Sequence, residues 1–140
     1  MDLGLDAGRP EVPRSGRAVI LLDTNAVIWV DRGHPRIRSL LRGGQRLYIS
    51  PATVLELQFL HEARRIRLRD GTVQSIVDDD RWVLDDPPAA SWFQRAADLS
   101  WTRDPFDRLL AAHAQVRRWR LATSGGDLVE RLGPAYSVEL

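Results

Sequence analysis

Four acidic residues stand where a carboxylate needs a reason. Asp23 ends the apolar run Val19-Ile20-Leu21-Leu22, and another apolar run begins at Ala26. Burying an unpaired carboxylate costs several kcal/mol or drives it toward its neutral form. On a helical wheel for segment 50–65, Glu56 falls within an apolar face of Ala52, Leu55, Phe59, Leu60, Ala63 and Ile66. The opposite face, with Gln58, His61, Glu62, Arg64 and Arg65, would hold it at no cost. Asp104 and Asp107 open RDPFDRLLAAHA at 103–114. There Phe106, Leu109, Leu110, His113 and Val116 face the core, Arg108 points away, and Asp107 sits at the edge beside Ala111 and Ala114.

Each acid has an ordinary explanation. Asp23 and Asp104 can cap helices, Asp107 can serve a helix dipole, and Glu56 can pair with an arginine. Three separate acids near a core rim form a pattern that none makes alone. Brought together they repel, and without a cation at least one protonates. A hard divalent ion such as Mg²⁺, which takes oxygen ligands, removes the conflict. Such an ion can activate water and stabilise charge on a phosphodiester. The histidines, at 34, 61 and 113, lack the close pairing of a zinc site. His113, amid an apolar stripe, reads as a satisfied core histidine.

The elements that would position these groups alternate along the chain. Ala18–Leu22 is a continuous apolar run, as in a strand buried on both faces. Thr24 or Asn25 can cap a helix through about Asp31, and a short helix follows Pro35 up to Gly43-Gly44. Leu47–Ile49 reads as a second strand. Ser50-Pro51 starts a helix that runs to about Arg65. A short helix at 72–79, a third strand at Trp82–Leu84 and a helix at Ala89–Leu99 follow. Asp104-Pro105 opens a helix to about Val116. Trp119–Thr123 is a fourth strand, Asp127–Leu132 a helical turn or two, and Tyr136–Val138 a last strand. This alternation predicts one α/β domain over 18–140 with a parallel sheet. Ligands of such sheets bind beyond the carboxyl ends of the strands, where Asp23 lies. Residues 1–17 carry Gly4, Gly8, Pro10, Pro13 and Gly16 without apolar period and read as a disordered arm or a misassigned start, not a signal peptide.

Composition narrows the classes. No apolar run approaches a membrane span, and there is no cysteine, which excludes disulfides and thiolate metal sites and suits a cytoplasmic protein. All twenty basic residues are arginine, so a P-loop nucleotide site, which needs lysine, is excluded. Residues 32–69 carry nine Arg against Glu56 and Glu62, net +7; residues 70–107 carry nine Asp against three Arg, net −6. A basic segment beside an acidic one suits a protein that holds a polyanion near carboxylates; two solvated faces that offset each other would look the same.

Three stretches together, LLDTNAVIW at 21–29, ISPATVLELQFL at 49–60 and RDPFDRLLAAHA at 103–114, followed by LAT at 121–123, resemble the PIN-domain ribonucleases. Within them the likeness is to VapC-type toxins of bacterial type II toxin–antitoxin pairs. The resemblance implies an α/β/α sandwich with a central, mainly parallel sheet. It implies Mg²⁺- or Mn²⁺-dependent hydrolysis of RNA, a homodimer, and a small DNA-binding antitoxin as partner. By motif match Asp23, Glu56 and Asp107 become the metal-holding catalytic acids. Asp104 joins them as a cap or outer group, and Thr24, Asn25 and Thr123 line the site. One position departs from the family pattern. Two residues after Thr123, where the family usually carries a further acid, stands Gly125; either Asp127 reaches back or that acid is missing.

Two other readings remain open. A degenerate PIN domain would bind RNA or a protein without cleaving, which Gly125 motivates. A haloacid-dehalogenase-type phosphatase would also place an aspartate after an apolar strand. It usually has a second Asp two residues on, where this chain has Asn25.

Overall fold

The computed structural model describes residues 18–140; the arm expected at 1–17 lies outside them. Five strands, β1 (Val19–Leu22), β2 (Arg46–Ile49), β3 (Val83–Leu84), β4 (Arg120–Thr123) and β5 (Ser137–Glu139), form one sheet in the order β3-β2-β1-β4-β5. Every pairing is parallel. β1 is central, with Leu21 opposite Tyr48 on one side and Leu121 on the other.

Helices cover both faces. α1 (Thr24–Arg32), a 3₁₀ turn at Pro35–Ile37, α2 (Arg38–Arg42), α3 (Pro51–Glu62) and α4 (Val73–Val77) follow β1 and β2. α5 (Ala89–Ala97), α6 (Pro105–Arg117) and α7 (Gly126–Leu132) come later in the chain. Strand alternation divides the apolar residues between two cores. Ile20, Leu22 and Ala122 pack with Val27, Ile37, Leu57 and Ile76 on one face. Leu21 and Leu121 pack with Trp92, Leu110, Ala111 and Leu128 on the other. Truncating Leu21, which has no exposed surface, would cost about 2–5 kcal/mol through lost contacts and the cavity left behind. The architecture is the expected α/β/α sandwich.

Local boundaries depart from the sequence reading in physically instructive ways. The cap of α1 is Asp23 itself, not Thr24 or Asn25: its Oδ1 accepts from the Ala26 N–H at 2.7 Å. α3 stops at Glu62 rather than Arg65, because the chain turns left-handed at Arg64 (φ 58°). Its buried side is Ala52, Thr53 and Leu57, whereas Leu55 and Phe59 are about half exposed. The helix is apolar almost all round, so a wheel cannot choose its inner face; contact with α1 and α6 does. On α6 the fully buried run is Leu110–Ala114, while Phe106, Leu109 and Val116 are only partly covered. Arg108 does not point away: its guanidinium folds back onto the carbonyls of Thr102 and Ala97.

Candidate functional site

The site lies where the strand order reverses about β1. β1 and β4 run side by side, their connections leave in opposite directions, and their carboxyl ends open a crevice. Asp23 follows β1, its N–H bonded to the Ala122 carbonyl at 3.1 Å. Thr123 ends β4 with no exposed surface. The first acid is therefore held twice, by the strand pair at its backbone and by the start of α1 at its side chain.

Asp23 is 5 % exposed, and burial pushes its carboxyl up to about 6. The Thr123 hydroxyl and the N–H groups of Ala26 and Asn25 pull the other way, while Asp107 adds repulsion. So Asp23 both caps a helix and faces the other acids; the two roles are compatible.

Glu56 arrives from α3, whose start is fixed by Ser50 capping the Ala52 N–H at 3.1 Å and by Pro51 at the first helical position. The Thr24 hydroxyl donates to Glu56 Oε1 and lies 3.3 Å from the Thr53 hydroxyl. Burial raises the Glu56 pKa, the Thr24 hydrogen bond lowers it, and Asp104 and Asp23 raise it again. Asp107 arrives from α6 and is likewise pushed up to about 6, by burial first and then by Asp104, Glu56 and Asp127. Ala111 and Ala114, with no exposed surface, let this helix approach closely.

Asp104 is exposed and caps α6, accepting from the N–H groups of Phe106 at 2.8 Å and Asp107 at 3.3 Å. Its charge is nevertheless felt by both Glu56 and Asp107. Asn25 is exposed and contributes through its backbone N–H. Gly125 supplies no carboxylate; its N–H donates to Thr123 Oγ1 at 3.0 Å, and its φ of −73° is open to any residue. Asp127, exposed in the first turn of α7, is the acid from that loop whose field reaches Asp107.

The arginines decide how these acids are compensated. Asp79 is held low chiefly by its hydrogen bonds with Arg81. At Asp85 burial pushes upward, but hydrogen bonds from His113 and Arg117 outweigh it and hold the pKa low. No arginine figures among the groups that shift Asp23, Glu56 or Asp107. The ion pair that could have explained Glu56 is absent among the described residues. All nine arginines of segment 32–69 are exposed instead.

Oxygen-only acidic donors whose repulsion has no protein cation to relieve it fit a hard divalent ion. Among the described residues, no three His, Asp or Glu side chains already stand close enough to be a ready-made cluster. Glu56 and Asp107 would have to draw closer to Asp23 to share an ion, whose charge would offset their repulsion.

Thr53 was not legible as a site residue; its signal is its place one helical turn before Glu56 on the inner face of α3. Ser50 and Asp85, which grip His113, were not anticipated either.

A family model for the PIN domain matches residues 20–132. The chain belongs to the PIN-domain family. Several solved structures share its fold. The crystal structure of VapBC2 from Rickettsia felis, bound to a DNA fragment from their promoter, matches with a TM-score of 0.61 at 20% identity, covering 86% of this chain and 97% of that one. PAE2754 from Pyrobaculum aerophilum matches with a TM-score of 0.60 at 16% identity, covering 91% and 89%. FitAcB from Neisseria gonorrhoeae matches with 0.54 at 21% identity, covering 86% and 96%. No curated protein is significantly similar in sequence. Within this PIN domain, Asp23, Glu56 and Asp107 come from three separate elements onto one crevice. No helix of the described residues is long and apolar enough to cross a membrane.

Proposed function

We propose that this PIN domain is a Mg²⁺- or Mn²⁺-dependent endoribonuclease that acts as the toxin of a type II toxin–antitoxin pair. The observation that carries the reading is the uncompensated set Asp23, Glu56 and Asp107, all raised in pKa at the switch point of the sheet. These three residues would hold the ion. When bound, it supplies Lewis acidity at a phosphodiester oxygen and makes water a stronger nucleophile.

The chain's own groups prepare that chemistry. Thr123 and the Ala26 N–H orient Asp23 and favour its ionised form. Thr24 fixes Glu56 Oε1 by donating to it. Asp107, raised to about 6 in the absence of an ion, is mostly ionised at neutral pH and so ready to take one. Asp104 orients the start of α6 rather than reacting, and Asp127 supplies negative charge where Gly125 has none. The exposed arginines of 32–69 offer a surface for the RNA backbone.

The toxin role draws on the likeness to the VapBC2 and FitAcB structures; the promoter DNA fragment belongs to the VapBC2 structure. For this chain a small DNA-binding antitoxin, a homodimer and a cytoplasmic location complete the proposal. An alternative is a degenerate PIN domain that binds RNA or a protein partner without cutting, favoured by Gly125.

Cleavage of a structured RNA with Mg²⁺, with Mn²⁺ and with chelator tests the reading, alongside Asp23→Asn, Glu56→Gln and Asp107→Asn purified identically. Metal-dependent cleavage lost in all three variants supports it. RNA binding indifferent to chelator, with no products and no Mn²⁺ binding, supports the degenerate alternative.

A further inference from the structure

His113 has no exposed surface, and both ring nitrogens are engaged. Nδ1 lies 2.9 Å from Ser50 Oγ and Nε2 lies 2.7 Å from Asp85 Oδ2. Arg117 donates to both Asp85 oxygens, at 2.8 and 3.1 Å, so Asp85 is ionised and can only accept. Nε2 therefore carries the ring proton, and bare Nδ1 accepts from the Ser50 hydroxyl. Ser50 keeps a lone pair for the Ala52 N–H and so caps α3. Every proton in this chain of bonds has one place to go. Burial also disfavours the charged ring, consistent with this neutral form.

We propose that His113 is a positioning residue, a strut between α6 and α3 that sets how far Asp107 stands from Glu56. The two acids are placed symmetrically about it. Glu56 lies six residues after Ser50 on α3, and Asp107 six residues before His113 on α6. Six residues of helix span about 9 Å, so a shift at the strut is carried along both helices to the carboxylates. The strut is itself braced. The Asp85 N–H is bonded to the Ile49 carbonyl at 2.9 Å, next to Ser50. The rings of Trp92 and Trp119 lie 5.3 and 6.1 Å from the imidazole. A phenylalanine would fill the space but offer nothing to Ser50 or Asp85. A glutamine offers one acceptor and one donor and can keep part of the linkage.

That the acids bind metal is the reading proposed above; the strut is a separate claim about helix spacing. Spin labels at Glu62→Cys on α3 and Arg118→Cys after α6 report that spacing cleanly, because the chain has no cysteine of its own. His113→Phe is expected to broaden the inter-label distance distribution and to lower Mn²⁺ affinity about tenfold or more, as loss of groups that orient ligands does. His113→Gln is expected to recover much of both. Unchanged spacing and unchanged Mn²⁺ affinity in folded His113→Phe overturn the proposal. If that variant does not fold, Ser50→Ala, which cuts the bond at the α3 end, is read against the same outcomes. If the parent chain binds no Mn²⁺, the nuclease reading falls, and the label distance alone decides the strut.

Discussion

Removing the charge of Asp23 should stabilise the metal-free protein. Asp23 is almost fully buried, and its carboxyl rises from an ordinary 3.8 to about 6. At roughly 1.4 kcal/mol per pH unit, ionising it in the folded chain costs about 3 kcal/mol more than in the unfolded one. The folded chain binds the extra proton, so this stability is fully present below about pH 4 and is lost as pH rises through about 6. Asn at 23 keeps the oxygen that caps Ala26 and is as good a capping residue. Asp23→Asn should therefore match the parent near pH 4 and exceed it by up to about 3 kcal/mol at pH 7.5. For a domain of this size that is on the order of 10 °C in Tm. Thermal unfolding in chelator from pH 4 to 8 reads the difference directly. Added Mn²⁺ should then raise only the parent, by about 2.7 kcal/mol at a hundred times its Kd. A variant less stable than the parent by the same amount at every pH would refute the reasoning and leave Asp23 as a helix cap alone.

Gly125→Asp should fold, because a Cβ there meets Thr123 Oγ1 and Leu128 Cδ1 at an ordinary 3.4 Å; Mn²⁺ titration should show tighter binding, and chelator should lower its Tm below that of the parent. Replacing exposed Arg38 and Arg42 of α2 by Ala should weaken RNA binding and flatten its salt dependence by about 0.7 in log–log slope per lost single-strand phosphate contact; an unchanged slope would remove α2 from the RNA surface. Ala111→Leu, overpacking a site with no exposed surface, should cost about 1–3 kcal/mol in denaturant unfolding.

The sheet was legible because its central strands are continuous apolar runs, and Val19–Leu22 and Arg120–Thr123 lie within a residue or two of their expected bounds. Asp107 was placed correctly at the edge of its helix because Ala111 and Ala114 mark a face that must approach something closely. The inner face of α3 was not legible, since Leu55, Leu57, Phe59 and Leu60 surround it and only tertiary contact selects among them. Glu56 came to the site all the same, from the border of the buried side rather than its middle. The Ser50–His113–Asp85 linkage joins residues 50, 85 and 113, and no local pattern records a contact at such separations.

The same separation governs when the acids can meet. β1 and β4 are neighbours in the sheet, yet Ile20 pairs with Arg120, a hundred positions later in the chain. Asp23 leans on the carbonyl of Ala122 and the hydroxyl of Thr123, so its setting does not exist until that late segment docks. Parallel pairings of such long loop closure are slow to form. During synthesis the N-terminal half can collapse around β1, β2 and α3 while the crevice still lacks a wall. A chain interrupted before β4 thus lacks the groups that hold Asp23, and the candidate crevice takes shape only once the late segment has docked.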